Sequence, residues 1–206
     1  TLDTEQHKAL ARQFGDIFIH PNFNTGDHDP EVVTITRAPG DTRIVGEDWH
    51  TDTTMMAEPP MGALLYALEA PSVGGDTLFA DMFAVHDGLP DDLRAEIDGL
   101  SAVHSFERSF GSQVPDERKD EFRALYPEVE HPVVCTHDRT GRQFLYVNRV
   151  FVDRFVDRSH EESVDLLDRL CRQTDYPEYQ CRFRWEPGSI AFWDNRAVQH
   201  YASSDY

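Results

Sequence analysis

Basic residues are scarce in this chain. It carries 19 Lys+Arg against 38 Asp+Glu, a net charge of −19 over 206 residues. So acidic a surface repels phosphate backbones and anionic lipid, which excludes nucleic acid and membrane surfaces as main partners. A small anionic ligand is not excluded, because one local Arg outweighs distant carboxylates. Cysteine is scarcer still. Cys135, Cys171 and Cys181 are an odd number with no close spacing, which excludes a disulfide framework or a cysteine zinc motif. They are expected to be buried thiols in a reducing compartment. No apolar run approaches the roughly 20 residues of a membrane-spanning helix. No signal peptide is visible, so the expected location is cytoplasmic. The first residue is Thr1, not Met, and an opening segment of the full protein is expected to precede it. Internal repeats and low-complexity stretches are also lacking. What is present, 39% hydrophobic and 11% aromatic residues, suffices for one core and one domain spanning 1–206.

The local pattern predicts many strands and a few covering helices. A helix is expected over residues 4–14, with Thr4 as its cap, and strands over 32–36, 63–70 and 77–79. Short helices follow over 81–88 and 91–97, the second opened by Pro90. Residues 102–106 read as a strand, 112–118 as a loop and 121–125 as a helical turn. Residues 133–136 and 143–148 flank a polar turn and form a hairpin. Ser159 and Glu162 make a capping box for a helix to about Arg172, with Val164, Leu167, Leu170 and Cys171 on its apolar stripe. Tyr179, Cys181, Phe183 and Trp185 alternate with polar residues, the clearest strand of the chain. Such a mainly β pattern with flanking helices suits a double-sheet jelly roll.

Two stretches carry chemistry. In Trp49-His50-Thr51-Asp52, side chains two apart on an extended segment point the same way, so His50 and Asp52 can converge. An imidazole beside a carboxylate is two-thirds of the facial triad that holds non-haem Fe(II). The preceding Trp49 is placed to shield it. The chain has ten histidines, and a lone one is usually structural or exposed. His7, His28, His86, His104, His131, His137 and His160 receive that reading. His200, which ends the run from Trp193, is the best second imidazole. From the residues alone an alternative stands: Asp194, Asn195 and Arg196 are a polar strand end whose members satisfy one another.

The chain resembles the taurine/alpha-ketoglutarate dioxygenase (TauD/TfdA-like) family of Fe(II)- and 2-oxoglutarate-dependent oxygenases. The likeness rests on Trp49-His50-Thr51-Asp52, Gly74-Gly75-Asp76-Thr77-Leu78-Phe79, His131-Pro132-Val133-Val134, the segment from Gly141 to Asn148, and Trp193-Asp194-Asn195-Arg196 with Gln199-His200-Tyr201-Ala202. These blocks are co-linear over nearly the whole chain. The resemblance implies a double-stranded β-helix (jelly roll) of clavaminate synthase-like type, and one catalytic domain lacking N- and C-terminal segments of the full protein. It implies Fe(II) on His50, Asp52 and His200, with Thr77 bonded to a carboxylate of 2-oxoglutarate. It implies hydroxylation of a substrate C–H bond with O2, releasing succinate and CO2. A carboxylate at Asp52 fills the position that related halogenases leave to chloride, which favours hydroxylation. The family's arginines for 2-oxoglutarate and substrate are expected beyond Tyr206, and Arg196 is no substitute. Family members often form dimers or tetramers, so a homo-oligomer is implied.

Substrate-pocket positions of the family fall on His20, Phe23, Gly46, Ser109, Phe110 and Phe151. Phe23 stands where the taurine enzymes have Tyr, and Gly46 where they have Asn. Losing both polar groups would leave parts of a small polar substrate unpaired, at about 1–3 kcal/mol each. The expected substrate is therefore another small anion: a sulfonate, an alkyl sulfate or a carboxylate. Two other classes compete. One is a jelly-roll ligand-binding module without turnover. The other is a zinc hydrolase with Glu47 or Asp48 as base.

Overall fold

A computed structural model of the protein describes residues 1–19, 29–37 and 46–206. His20, Phe23 and His28 lie outside the described residues. Ten strands are formed within them: β1 (Gly62–Tyr66), β2 (Thr77–Asp81), β3 (Ser101–His104), β4 (Val129–Pro132), β5 (Val134–Thr136), β6 (Gln143–Leu145), β7 (Val152–Phe155), β8 (Gln180–Phe183), β9 (Ile190–Asp194) and β10 (Val198–Ala202). The helices are α1 (Thr4–Ala11), α2 (Met82–Asp87), α3 (Asp91–Glu96), α4 (Phe106–Phe110), α5 (Lys119–Leu125) and α6 (His160–Cys171). The strand pairs are antiparallel and form four groups: β1–β9, β10–β2–β8, β4–β3–β7 and β5–β6. This is the expected mainly β architecture with flanking helices.

The two faces of β2 and β10 have different duties. Ala80 pairs with Gln199, and both are buried. Ala80 joins the main core with Met82 and Val85 of α2, Phe155 of β7, and Leu166 and Leu170 of α6. Gln199 is tolerated there because its amide donates to the Val147 carbonyl at 2.6 Å. The period-2 alternation then sends Thr77, Phe79, His200 and Ala202 to the opposite face. A second apolar cluster of Met55, Phe106 and Phe151, with Phe110, Phe122 and Tyr126 against it, sits beside the segment that follows Asp52.

Several local expectations need correction. Residues 32–36 form no strand, and Val33 and Ile35 are exposed. β-branched propensity acts only where a neighbouring strand supplies packing and ladder bonds. Asp3, not Thr4, caps α1, through a capping box with Gln6. Residues 112–118 are two 3-10 turns around Pro115. The α6 capping box forms as expected, but Val164 is exposed and Leu166 takes its place on the buried stripe. Of the cysteines only Cys171 is buried, and Cys181 is exposed on β8. β4, β7 and α4 were not anticipated as separate elements.

Candidate metal centre

The site is assembled by one antiparallel bridge. His50 N–H donates to the His200 carbonyl at 3.1 Å, and His200 N–H donates to the His50 carbonyl at 2.8 Å. Residues paired this way present their side chains on one face, so the two rings lie 4.1 Å apart between centroids. Asp52, two residues on, brings Oδ1 to 3.4 Å from His50 Nε2 and 3.7 Å from His200 Nε2. The three donor atoms lie within 4.8 Å of one another. Donors held about 2.1 Å from a common ion at right angles to tetrahedral angles are roughly 3–3.5 Å apart, so this spacing fits one cation with little adjustment.

Which nitrogens face the ion is also settled locally. His50 Nδ1 is 2.7 Å from the Asp48 carbonyl, which can only accept. Nδ1 therefore carries the proton and Nε2 keeps its lone pair. Burial works against a charge on His50, but Asp52 and Asp48 together outweigh it and raise its pKa above the ordinary value. His200 goes the other way. Burial, reinforced by His50, pushes it down to about 4 against the opposing pull of Asp52. Two imidazoles and one carboxylate, with His200 kept neutral, form a donor set suited to a divalent metal.

Aromatic packing orients the His200 ring, whose Nδ1 is buried without a hydrogen-bond partner among the described residues. Trp193 lies 4.9 Å from it and Phe79 6.2 Å, between centroids. Trp49, expected to shield the site, instead packs against the main core and Tyr201. Thr77 occupies the same face of β2 as Phe79, two pairs along the ladder from His200. Its Oγ1 accepts from the Trp185 indole at 2.9 Å, which leaves the hydroxyl proton to donate.

The pocket positions distribute unevenly. Gly46 lies against the His50 ring: its φ is +85°, and a Cβ there would meet His50 Cε1 at 3.1 Å and Nε2 at 3.7 Å. Ser109 Oγ donates to the Val150 carbonyl. Phe110 and Phe151 are in the second apolar cluster, with ring centroids 6.1 Å apart. A cavity of about 310 Å³ lined by Phe106, Val114, Phe122 and Tyr126 includes none of the predicted site residues.

Some partners of the site were missed in the sequence. Asn195 was read as one of three mutually satisfied polar residues. Asp194 and Arg196 do pair, at 2.7 Å, and Asp194 also accepts from His137 Nε2 at 2.8 Å. Asn195, however, bonds to the backbone of Asp52. Thr54, two residues past Asp52, is held by His104 Nδ1 at 2.8 Å and Asn148 Nδ2 at 3.3 Å. For Asn148 and Asn195 the sequence signal is their place in the blocks 141–148 and 193–196; Thr54 and His104 carry none.

A half-buried His/carboxylate/His face on a β-rich jelly roll is the arrangement of a mononuclear non-haem metal oxygenase. Over residues 1–206 the chain matches the description "Taurine catabolism dioxygenase TauD, TfdA family", and it belongs to that family. It is 34% identical over 212 residues to an alpha-ketoglutarate-dependent sulfate ester dioxygenase of Pseudomonas putida, covering 100% of this chain and 69% of the relative. It is 33% identical over 211 residues to an alkylsulfatase of Acinetobacter baylyi, covering 99% of this chain and 65% of the relative. The crystal structure of a taurine dioxygenase from Burkholderia xenovorans superposes with a TM-score of 0.80 at 37% identity, covering 99% of this chain and 66% of that one. The chain thus spans about two thirds of the length of these relatives. Among the described residues no helix is long and apolar enough to cross a membrane.

Proposed function

We propose that the protein holds Fe(II) on His50, Asp52 and His200 and hydroxylates a C–H bond of a small anionic substrate, consuming 2-oxoglutarate and O2. The observation that carries this reading is the convergence of His50 Nε2, His200 Nε2 and Asp52 Oδ1. The bound iron supplies the redox chemistry, by which 2-oxoglutarate and O2 become succinate and CO2 as R–H becomes R–OH. The chain's own residues prepare the place for it. Asp48 fixes the tautomer of His50. Burial keeps His200 a neutral donor, and Asp52 adds one negative charge. The Thr77 hydroxyl donates to a carboxylate of 2-oxoglutarate, while the Trp193 and Phe79 rings beside His200 keep water from that side.

The substrate class is a sulfate ester, a sulfonate or a carboxylate, and the names of the sulfate ester dioxygenase and alkylsulfatase relatives support the first of these. His20, Phe23, Gly46, Ser109, Phe110 and Phe151 belong to the proposed substrate pocket, and taurine itself is not the expected substrate. Residues 1–206 form one catalytic domain of a cytoplasmic enzyme that assembles as a dimer or tetramer. The experiment is succinate formation by the full-length, iron-loaded protein across alkyl sulfates, sulfonates and aryloxy or aliphatic carboxylates. Turnover that requires both Fe(II) and 2-oxoglutarate supports the reading. Activity that requires zinc and ignores 2-oxoglutarate, or no turnover with any member of the panel, contradicts it.

A further inference from the structure

Asp52 leaves the β-ladder just where its position matters most. The pairing of residues 50–52 with β10 and the turn before it begins as backbone-to-backbone bonds between His50 and His200. It continues through a side chain, with Thr51 Oγ1 donating to the Val198 carbonyl at 3.1 Å. In antiparallel register the next rung would join Asp52 to Val198, but the Val198 carbonyl is already taken by Thr51 and the chain beyond it turns back at Asp194, whose Oδ1 accepts from Arg196 N–H at 3.0 Å. Asn195 supplies the rung with its side chain. Its Oδ1 accepts from Asp52 N–H at 2.9 Å, and its Nδ2 donates to the Asp52 carbonyl at 3.0 Å. A carboxamide has the same planar C=O and N–H pair as a peptide, so it holds Asp52 on both sides as a neighbouring strand would.

The remaining N–H of that amide donates to the Pro60 carbonyl at 3.2 Å, and Asn195 N–H donates to the Met61 carbonyl at 3.0 Å. Three partners of fixed polarity define which amide atom is oxygen. Asn195 is 1% exposed, so water offers no replacement for these bonds. Immediately after Asp52, Thr53 takes a φ of +53°, a conformation that β-branched residues avoid unless their surroundings impose it. The backbone of Asp52 is thus held at both its N–H and its C=O just before a strained turn, and the direction of its Cβ follows.

We infer that Asn195 is the positioning residue for Asp52: its amide, acting as a substitute strand, sets the carboxylate against the two imidazoles. The inference rests on the triad reading above. An outer partner that orients a metal ligand is typically worth 10–100-fold in metal affinity. A merely structural residue would change stability and would weaken the metal by a similar factor whether or not residue 52 carries a carboxylate.

The test is a double-mutant cycle on the full-length protein, with Zn(II) alone as probe because it binds imidazole ligands tightly enough to survive loss of one ligand. Zinc affinity is measured by chelator competition for the wild type, Asn195→Ala, Asp52→Ala and the double variant, with urea midpoints to establish folding. Asn195→Ala is expected to bind zinc 10–100-fold more weakly than the wild type, yet to add less than about threefold in the Asp52→Ala background. Should Asn195→Ala not fold, Asn195→Asp, which keeps the size and the acceptor but not the two donors, is read in the same cycle. Wild-type affinity in a folded Asn195 variant overturns the proposal, as does an equal loss in both backgrounds. If Asp52→Ala binds zinc as tightly as the wild type, the triad reading has failed and the positioning role fails with it.

Discussion

His104 makes folding stability depend on pH in a calculable way. It is fully buried on β3. Its Nδ1 bonds to Thr54 Oγ1, while its Nε2 is buried with no hydrogen-bond partner among the described residues. A second proton would place an N–H where nothing accepts it. Burial, with His131 adding repulsion, accordingly pushes the pKa down to about 3. In the unfolded chain it returns to roughly 6.5. Between those values the unfolded state binds one more proton than the native state, so stability is complete above pH 6.5 and falls as pH drops toward 3. The slope is about 1.4 kcal/mol per pH unit, which amounts to about 2 kcal/mol between pH 7.5 and 5.0. Replacing His104 with Gln removes the titration. Urea unfolding of wild type and His104→Gln at those two pH values gives a difference of differences in which other groups cancel. The wild type should lose about 2 kcal/mol more than the variant on acidification. Equal losses in the two proteins would refute the assignment of a buried, neutral His104.

Two further predictions concern the metal site. Thr77→Val should raise the KM for 2-oxoglutarate by roughly 10–100-fold, the worth of one bond to a charged group, while Fe(II) affinity stays at the wild-type level. An unchanged KM would remove Thr77 from the site. Gly46→Ala places a methyl about van der Waals distance or less from the His50 ring, at a φ of +85°. It should cost about 1 kcal/mol of stability and weaken Fe(II) binding, read by urea midpoint and anaerobic titration. Unchanged iron affinity would show that this backbone does not bear on the His50 ring.

Legibility in the sequence followed how locally each feature is encoded. The hairpin around residues 137–141 and the α6 capping box need only adjacent residues, and both were readable. So was the two-residue spacing that lets His50 and Asp52 converge, since side chains two apart on an extended segment lie on one side. Residues 32–36 misled because β-branched propensity says nothing about whether a partner strand is present. On α6 the expected Leu167, Leu170 and Cys171 are buried, but Val164 is exposed and Leu166 is buried in its stead, because the edge of an apolar stripe is fixed by what packs on it. Asn195 was unreadable for a different reason. Its partner is 143 residues away, and an amide standing in for a strand leaves no periodic mark. Trp49 was assigned to the wrong side of the site. Two residues apart means the same face and one apart the opposite face, so a Trp next to His50 points to the core, and the ring beside His200 is Trp193.

Anaerobic Fe(II) titration of the wild type and of His50→Ala, Asp52→Ala and His200→Ala, each shown to be folded, tests the triad most directly. One tightly held iron per chain in the wild type, lost in the His50 and His200 variants and weakened in the Asp52 variant, is the predicted result. A folded His200→Ala protein that still holds one iron as tightly as the wild type would contradict the account.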